Sequence, residues 1–199
     1  MKLILEMWVH SICLEVFIEL AHWRWCNKQV RLGRVSMQVN EIDWERWQPT
    51  EYATLCFVMR DGQILLIHKK RGLGAGKING PGGRLEMGET ALAAAIRETQ
   101  EEIGVTPTDL EQIGELFFHF LDGYKLQVTV FAASGCIGEL CETDEATPFW
   151  VTISQIPYND MWQDDPHWLP LLTACRKFKG YFVFEKDQLL SHRVLELTA

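Results

Sequence analysis

Two short stretches limit the fold of this chain more than any others, because each reverses an apolar run onto itself within two residues. Residues 53–60 and 63–70 are strand-like runs separated by Asp61-Gly62, and residues 112–121 and 125–133 flank Asp122-Gly123. Asp-Gly supplies the positive φ angles that a tight hairpin needs. Between the two hairpins lie a glycine-rich loop over 72–88 and a helix expected over about 89–103. Gly104 ends that helix as a left-handed cap would, and Pro107 prevents its resumption. Further on, residues 149–153 read as a strand, 168–177 as a short helix behind Pro166, and 181–185 and 193–197 as late strands. Strands outnumber helices, and no repeat or linker interrupts them after residue 50. The expected fold class is therefore α/β (α+β), one domain with a mixed β-sheet between helices.

Composition narrows the class of protein. With 199 residues, 47% hydrophobic and 23% charged, the chain has the balance of a globular protein, which excludes disorder, collagen and a membrane bundle. Nineteen basic residues against 27 acidic ones give a net charge of −8 and argue against a nucleic-acid polymer as partner. Residues 1–36 depart from this balance. They hold Lys2, Arg24, Lys28, Arg31 and Arg34 against Glu6, Glu15 and Glu19, a net +2, so residues 37–199 carry −10. The apolar stretch 3–21 contains all three of those glutamates, each costing roughly 2.5 to 3.5 kcal/mol in a bilayer, so no membrane partner is expected. Residues 1–36 are read as an N-terminal extension, either an added amphipathic helix or a stretch upstream of a true start at Met37, with the second preferred. Residues 37–199 form the domain, led in by Trp44 and Trp47. The six cysteines make no zinc pattern and are expected to be reduced and mostly buried, as in a cytoplasmic protein.

On the central helix, Leu92, Ile96, Thr99 and Ile103 recur at helical spacing and form the expected core stripe. Glu98, Glu101 and Glu102 fall on the other side, with Ala91, Ala94 and Ala95 upstream leaving room for a loop or ligand. Like charges at such spacings repel unless a cation lies among them. A solvated acidic face is the plain alternative.

The preceding loop decides between them. Gly83, Glu89 and the run Arg97-Glu98-Thr99-Gln100-Glu101-Glu102-Ile103-Gly104-Val105 stand at fixed distances, and this pattern resembles the signature of the Nudix hydrolase family. Eight of nine defined positions match over 23 residues; the departure is Thr99 in place of an aliphatic residue. Thr99 is expected to pack in the stripe with its hydroxyl bonded to the preceding turn. The resemblance implies the Nudix fold and a metal site in which Glu98, Glu101, Glu102 and the carbonyl of Gly82 hold Mg²⁺, with Mn²⁺ a possible substitute. Hard oxygen donors of this kind suit those ions. Arg97 is expected to orient a neighbouring carboxylate such as Glu101. The loop 72–77 has the wrong spacing for a phosphate-binding loop, with Ile78 where Ser or Thr would be needed, and reads as a flexible lid. Of the basic run 68–71, Lys69 is the candidate for contact with substrate.

Beyond the signature, the stretches LIHKKRGLGAGKINGPGG, IPYNDMWQDDPHWLPLL and KFKGYFVF resemble the branch of that family that hydrolyses oxidised purine nucleoside triphosphates, 8-oxo-dGTP and 2-hydroxy-dATP, to the monophosphate and pyrophosphate. By that resemblance the purine stacks on Trp162, Asp164 and Asp165 bond its edge, and Asn79 meets it from the other side. Thr54, Phe118 and Phe120 line the base pocket, and Glu145 approaches the metals. Two adjacent aspartates repel, so one can stay protonated and donate. Capping of the helix behind Pro166 by Asp164 and Asp165 is the structural alternative. The general base is left open between Glu145, Glu101 and Glu98. A cytoplasmic monomer acting on a small nucleotide is expected. The competing readings are hydrolysis of another nucleoside diphosphate derivative, such as ADP-ribose or a dinucleoside polyphosphate, and a non-catalytic nucleotide-binding module.

Overall fold

The computed structural model describes residues 37–198, so the extension 1–36, with Cys13 and Cys26, lies outside the described residues. Ten strands and two helices follow one another as β1 (Glu51–Arg60), β2 (Gln63–Lys69), β3 (Ile78–Asn79), α1 (Ala91–Ile103), β4 (Thr106–Thr108), β5 (Glu111–Phe120), β6 (Lys125–Ala133), β7 (Gly135–Ile137), β8 (Ala146–Thr152), α2 (Asp165–Thr173), β9 (Phe178–Glu185) and β10 (Gln188–Glu196). The main sheet runs β10-β9-β5-β6-β1-β2-β3, with β8 paired to β2, while β4 and β7 form a separate pair. Its β1–β6 and β5–β9 pairs are parallel and the others antiparallel, which makes the sheet mixed.

The first hairpin has the expected turn, with φ of 51° at Asp61 and 72° at Gly62. The second differs. Only Gly123 has positive φ, the Phe120 amide donates to the Tyr124 carbonyl, and the Asp122 side chain accepts from the Tyr124 amide, so a wider loop replaces the two-residue turn.

Strands β1 and β2 pair only next to their turn, at Met59 with Ile64 and Arg60 with Gln63, and then splay apart. The chain from 78 to 85 fills the opening. Asn79 and Ile78 pair with Ile67 and His68 of β2, and the chain then crosses to β1, where Thr54 and Cys56 donate to Gly83 and Pro81 and the Leu85 amide donates to Tyr52. Two glycines permit this close approach. A Cβ on Gly82 would lie 2.1 Å from the Thr54 carbonyl oxygen, and one on Gly83 would lie 2.3 Å from the Glu98 carboxylate.

Helix α1 begins two residues later than expected, where the Thr90 hydroxyl caps the Ala93 amide, and ends at Gly104 (φ 78°). Its buried face also differs from the expected stripe. Leu92 is 46% exposed, whereas Ala94, Ala95, Thr99, Glu102 and Ile103 are buried. The small alanines, read from sequence as leaving room on the acidic side, instead let the helix lie close against β1, where Ala95 and Ile103 pack with Cys56 and Val58. Thr99 donates to the Ala95 carbonyl at 2.7 Å, as expected. The opposite sheet face is anchored by α2, whose fully buried Trp168 meets Phe57 and Phe178. That helix starts at Asp165, three residues before its expected beginning, and stops at Thr173. Strands β3, β4 and β7 are too short to show in the apolar pattern. Of the four described cysteines only Cys56 is buried and two are exposed, which corrects the expectation of mostly buried thiols.

The residues before β1 are part of this domain. Trp44 and Trp47 lie on the sheet surface behind the α2-facing layer. Trp44 contacts Tyr181, Trp47 contacts Phe117, and the Trp47 indole N–H donates to His119 Nδ1. Trp47 is 8% exposed. Trp47→Ala is expected to cost about 3 kcal/mol in urea unfolding, as buried aromatic truncations do. A loss under about 1 kcal/mol would show that this strap contributes only marginally to the fold.

Candidate active site

A cleft of about 530 Å³ opens on the α2 side of the sheet and runs from the glycine wedge to the start of α2. Its floor comes from strand alternation. Leu116 and Phe118 of β5 stand opposite Val128 and Leu126 of β6, and Phe118 stacks on Phe182 while Phe120 stacks on Phe184. Thr54 lines the cleft from β1. Its hydroxyl is buried and has no hydrogen-bond partner among the described residues, an arrangement that costs about 1 to 3 kcal/mol unless a ligand completes it.

The polar groups gather at the two ends. At the wedge end, Glu102 is fully buried, with one carboxylate oxygen accepting from the Gly82 amide at 2.8 Å and the other from Lys69 Nζ at 2.6 Å. Burial pushes its carboxyl up from the ordinary range, against the opposing pull of Lys69. Lys69 Nζ also lies 3.4 Å from the Gly82 carbonyl. Arg97 is gripped on both sides. Glu89 holds it through two bonds of 2.9 Å, and its Nη1 donates to Glu98 at 2.8 Å and Glu101 at 2.9 Å. The Arg97 bonds drop the Glu89 carboxyl to about 2, and Arg97 itself is held firmly charged. Glu145 pairs with Arg71. The carboxylates at this end are thus drawn toward three different cations, and among the described residues no three acidic, histidine or cysteine side chains are gathered in ligand geometry. Glu98, Glu102, Glu145 and Gly82 line the cleft, while Glu101 stands at the rim, 54% exposed at its side chain.

The donor set nevertheless suits a divalent cation. An ammonium already bridges a Glu102 oxygen and the Gly82 carbonyl, so a positive charge is accommodated there, and the missing Cβ of Gly83 brings the Glu98 carboxylate against the same loop. All the candidate donors are hard oxygens.

At the far end stand Trp162, Asp164 and Asp165. Both aspartates are almost fully buried, at 3% and 2% exposure. Asp164 accepts from the Trp168 indole N–H at 2.9 Å, and Asp165 accepts from the Trp162 amide at 3.0 Å. Neither carboxylate makes the usual cap of α2, so helix capping does not explain the pair. Burial raises the Asp164 carboxyl to about 6. Asp165 is raised well above its ordinary value by burial and by the Asp164 charge. Trp162 stands edge-on to Phe184. Asn79 lines the cleft from β3 and its side-chain oxygen accepts from the Gly80 amide.

Every candidate residue except Arg97 and Glu101 therefore lines this one cleft. Three features escaped the sequence reading. Glu89 as the anchor of Arg97 is signalled only by its fixed place in the motif. Tyr124, Arg84 and Glu51 join at the cleft mouth, where the Tyr124 hydroxyl donates to Glu51 at 2.6 Å and Arg84 pairs with the same oxygen at 2.7 Å. The loop 72–77, expected to be a flexible lid, is stitched down: the Lys69 amide donates to Lys77, Gly76 to Lys69 and Lys77 to Gly74.

The family model for the NUDIX domain matches residues 49–172. Over 146 residues the chain is 43% identical to the oxidized purine nucleoside triphosphate hydrolase of Danio rerio, covering 72% of this chain and 94% of the relative. The protein of the same name from Mus musculus is 40% identical over the same shares. Among solved structures, the Mutator MutT protein from Bacillus halodurans superposes with a TM-score of 0.66 at 27% identity, covering 72% of this chain and 97% of that one. No described helix is long and apolar enough to cross a membrane.

Proposed function

The chain belongs to the Nudix hydrolase family, and on that premise we propose that it hydrolyses oxidised purine nucleoside triphosphates such as 8-oxo-dGTP and 2-hydroxy-dATP to the monophosphate and pyrophosphate. The observation that carries this reading is the buried Asp164–Asp165 pair beside Trp162 at the end of the cleft opposite the glutamates. The indole offers a face on which a purine stacks. Both carboxyl groups are raised from the ordinary aspartate range by burial, so the pair can accept from the ring N–H and amine of an oxidised guanine and, where one is protonated, can also donate to an acceptor on an oxidised adenine. The Thr54 hydroxyl and the Asn79 amide complete the polar contacts to the base, and Phe118 and Phe120 bound it.

At the other end Glu98, Glu101, Glu102, Glu145 and the Gly82 carbonyl would hold Mg²⁺, with Mn²⁺ as substitute. Bound there, a divalent cation supplies neutralisation of phosphate charge and a more acidic water. The protein's own part is positional. Arg97, clamped by Glu89, fixes Glu98 and Glu101. Lys69 is close enough to the wedge to exchange its Glu102 contact for a phosphate oxygen. Glu98, Glu101 and Glu145 are the candidates for accepting the proton of the attacking water. Residues 37–199 are assigned as the catalytic unit, with 1–36 outside it, acting as a monomer in the cytoplasm.

A turnover panel tests the reading. With Mg²⁺, 8-oxo-dGTP or 2-hydroxy-dATP is expected to exceed dGTP and ADP-ribose in kcat/KM, and chelation is expected to stop the reaction. Best turnover of ADP-ribose would replace this reading with its rival inside the family.

A further inference from the structure

Trp162 is the side chain on which the proposed base rests, and two residues that do not line the cleft, Gly74 and Lys77, lie against it. Lys77, half-buried at the end of the loop 72–77, places its ammonium 5.0 Å from the centroid of the Trp162 indole. Trp162 lines the cleft, whereas Lys77 is not among the residues that line it. The loop that carries Lys77 is pressed onto the same indole. A Cβ on Gly74 would lie 2.9 Å from Trp162 Nε1, a contact that only glycine allows, and the backbone bonds among Lys69, Gly74, Gly76 and Lys77 hold the loop in that position. Phe184 meets the indole edge-on from the sheet side.

The geometry points to Lys77 as a positioning and specificity residue for the oxidised base, holding its ammonium over the Trp162 ring while presenting a positive charge to Asp165. This inference rests on the proposed substrate reading. A cation over one face draws the π density of the indole toward it, leaving the opposite face better suited to stack on a ring made electron-rich by an added oxygen. Its second action is on the acid pair. Asp165 is faced by Asp164 at the start of α2, by Tyr158 from the preceding 3-10 turn and by Lys77 from the loop. Of these only Lys77 is a cation, and it favours the ionised form of Asp165. The ion therefore keeps one of the two carboxyl groups an acceptor when the other is a donor. The family signature begins at Gly83, beyond Lys77, and gives this residue no role.

Steady-state kinetics against pH for the full chain, Lys77→Met and Lys77→Arg provide the test, with 8-oxo-dGTP and dGTP as substrates. Lys77→Met is expected to raise KM for 8-oxo-dGTP about five- to thirty-fold with kcat within twofold, and to raise KM for dGTP less. Because removal of the cation leaves Asp165 protonated to higher pH, the acidic limb of the KM profile should move upward by about half a unit to one unit. Lys77→Arg, which retains the charge over the ring, should restore both. An unchanged KM, an unmoved pH profile, a fall in kcat alone, or failure of the arginine to rescue would each overturn the role of Lys77. Those outcomes leave the substrate reading intact if the unmodified protein still prefers 8-oxo-dGTP; if it is inert to that nucleotide, the substrate reading fails and this inference with it.

Discussion

Glu102→Gln is expected to lower kcat by at least about a hundredfold at saturating Mg²⁺ while the protein stays folded. Loss of groups that merely support a metal ligand commonly costs about 10- to 100-fold, so a carboxylate proposed as one of the ligands themselves should cost no less. The structure makes Glu102 the most constrained of the acidic residues. It is fully buried, one oxygen is pinned by the Gly82 amide, and the other meets Lys69. Glutamine keeps the acceptor for Gly82 but removes the charge, so the wedge should close as before. Lys69 retains some solvent access and can turn outward, which limits the folding penalty. The measurements are kcat, a Mg²⁺ titration of activity and the thermal midpoint. Full activity in a folded Glu102→Gln would remove the wedge end of the cleft from the mechanism.

The second large effect is of opposite sign in stability. Asp164→Asn is expected to stabilise the folded protein at pH 7 to 8 by up to about 3 kcal/mol while weakening turnover of the oxidised nucleotide. Asp164 is held at about 6 in the folded chain, against 3.8 for an unperturbed aspartate. Between those values the folded state binds more protons than the unfolded state, so stability falls as pH rises through that window. Below about pH 4 both states are protonated and the penalty is absent, and above about 6 it is fully felt. Asparagine is of the same size, can still accept from the Trp168 indole and carries no charge to bury. Urea unfolding at pH 4 and pH 8 should therefore show wild type and variant nearly equal at the lower pH and separated at the higher. Equal separation at both would mean that the buried charge is not what the variant relieves. Such a penalty is retained in proteins when the group serves a binding site.

The contrast between what was legible from sequence and what was not follows the range of the interactions. Thr99, Gly104 and the Asp61-Gly62 turn obey local rules, in which a residue bonds to a neighbour within one turn, and all three behave as expected. The glutamate cluster was visible because helical spacing and the fixed distance to Gly83 coincide. The buried face of α1 departs from the periodic stripe because small residues at 94 and 95, rather than the larger Leu92, do the packing, and periodicity of large apolar side chains cannot register that. Trp44 and Trp47 stood out only as an excess of tryptophan. Their partners Phe117, His119 and Tyr181 lie some 70 or more residues away, and a distant pairing leaves no trace in local pattern. The same holds for Lys77 and Trp162, separated by the whole of β3 to β8.

The segment that fills the gap between β1 and β2 also sets a clock. Because Thr54 and Cys56 donate their amides to Gly83 and Pro81, and Leu85 donates back to Tyr52, those protons can be traded for deuterium only when the glycine wedge lifts off the strand. Any ligand that presses the wedge against β1 should lengthen the exchange times of these three amides together. The amides of the first hairpin turn, which do not touch the wedge, should keep theirs. Occupancy at the acidic end can thus be followed residue by residue in the intact protein, without a reaction being run.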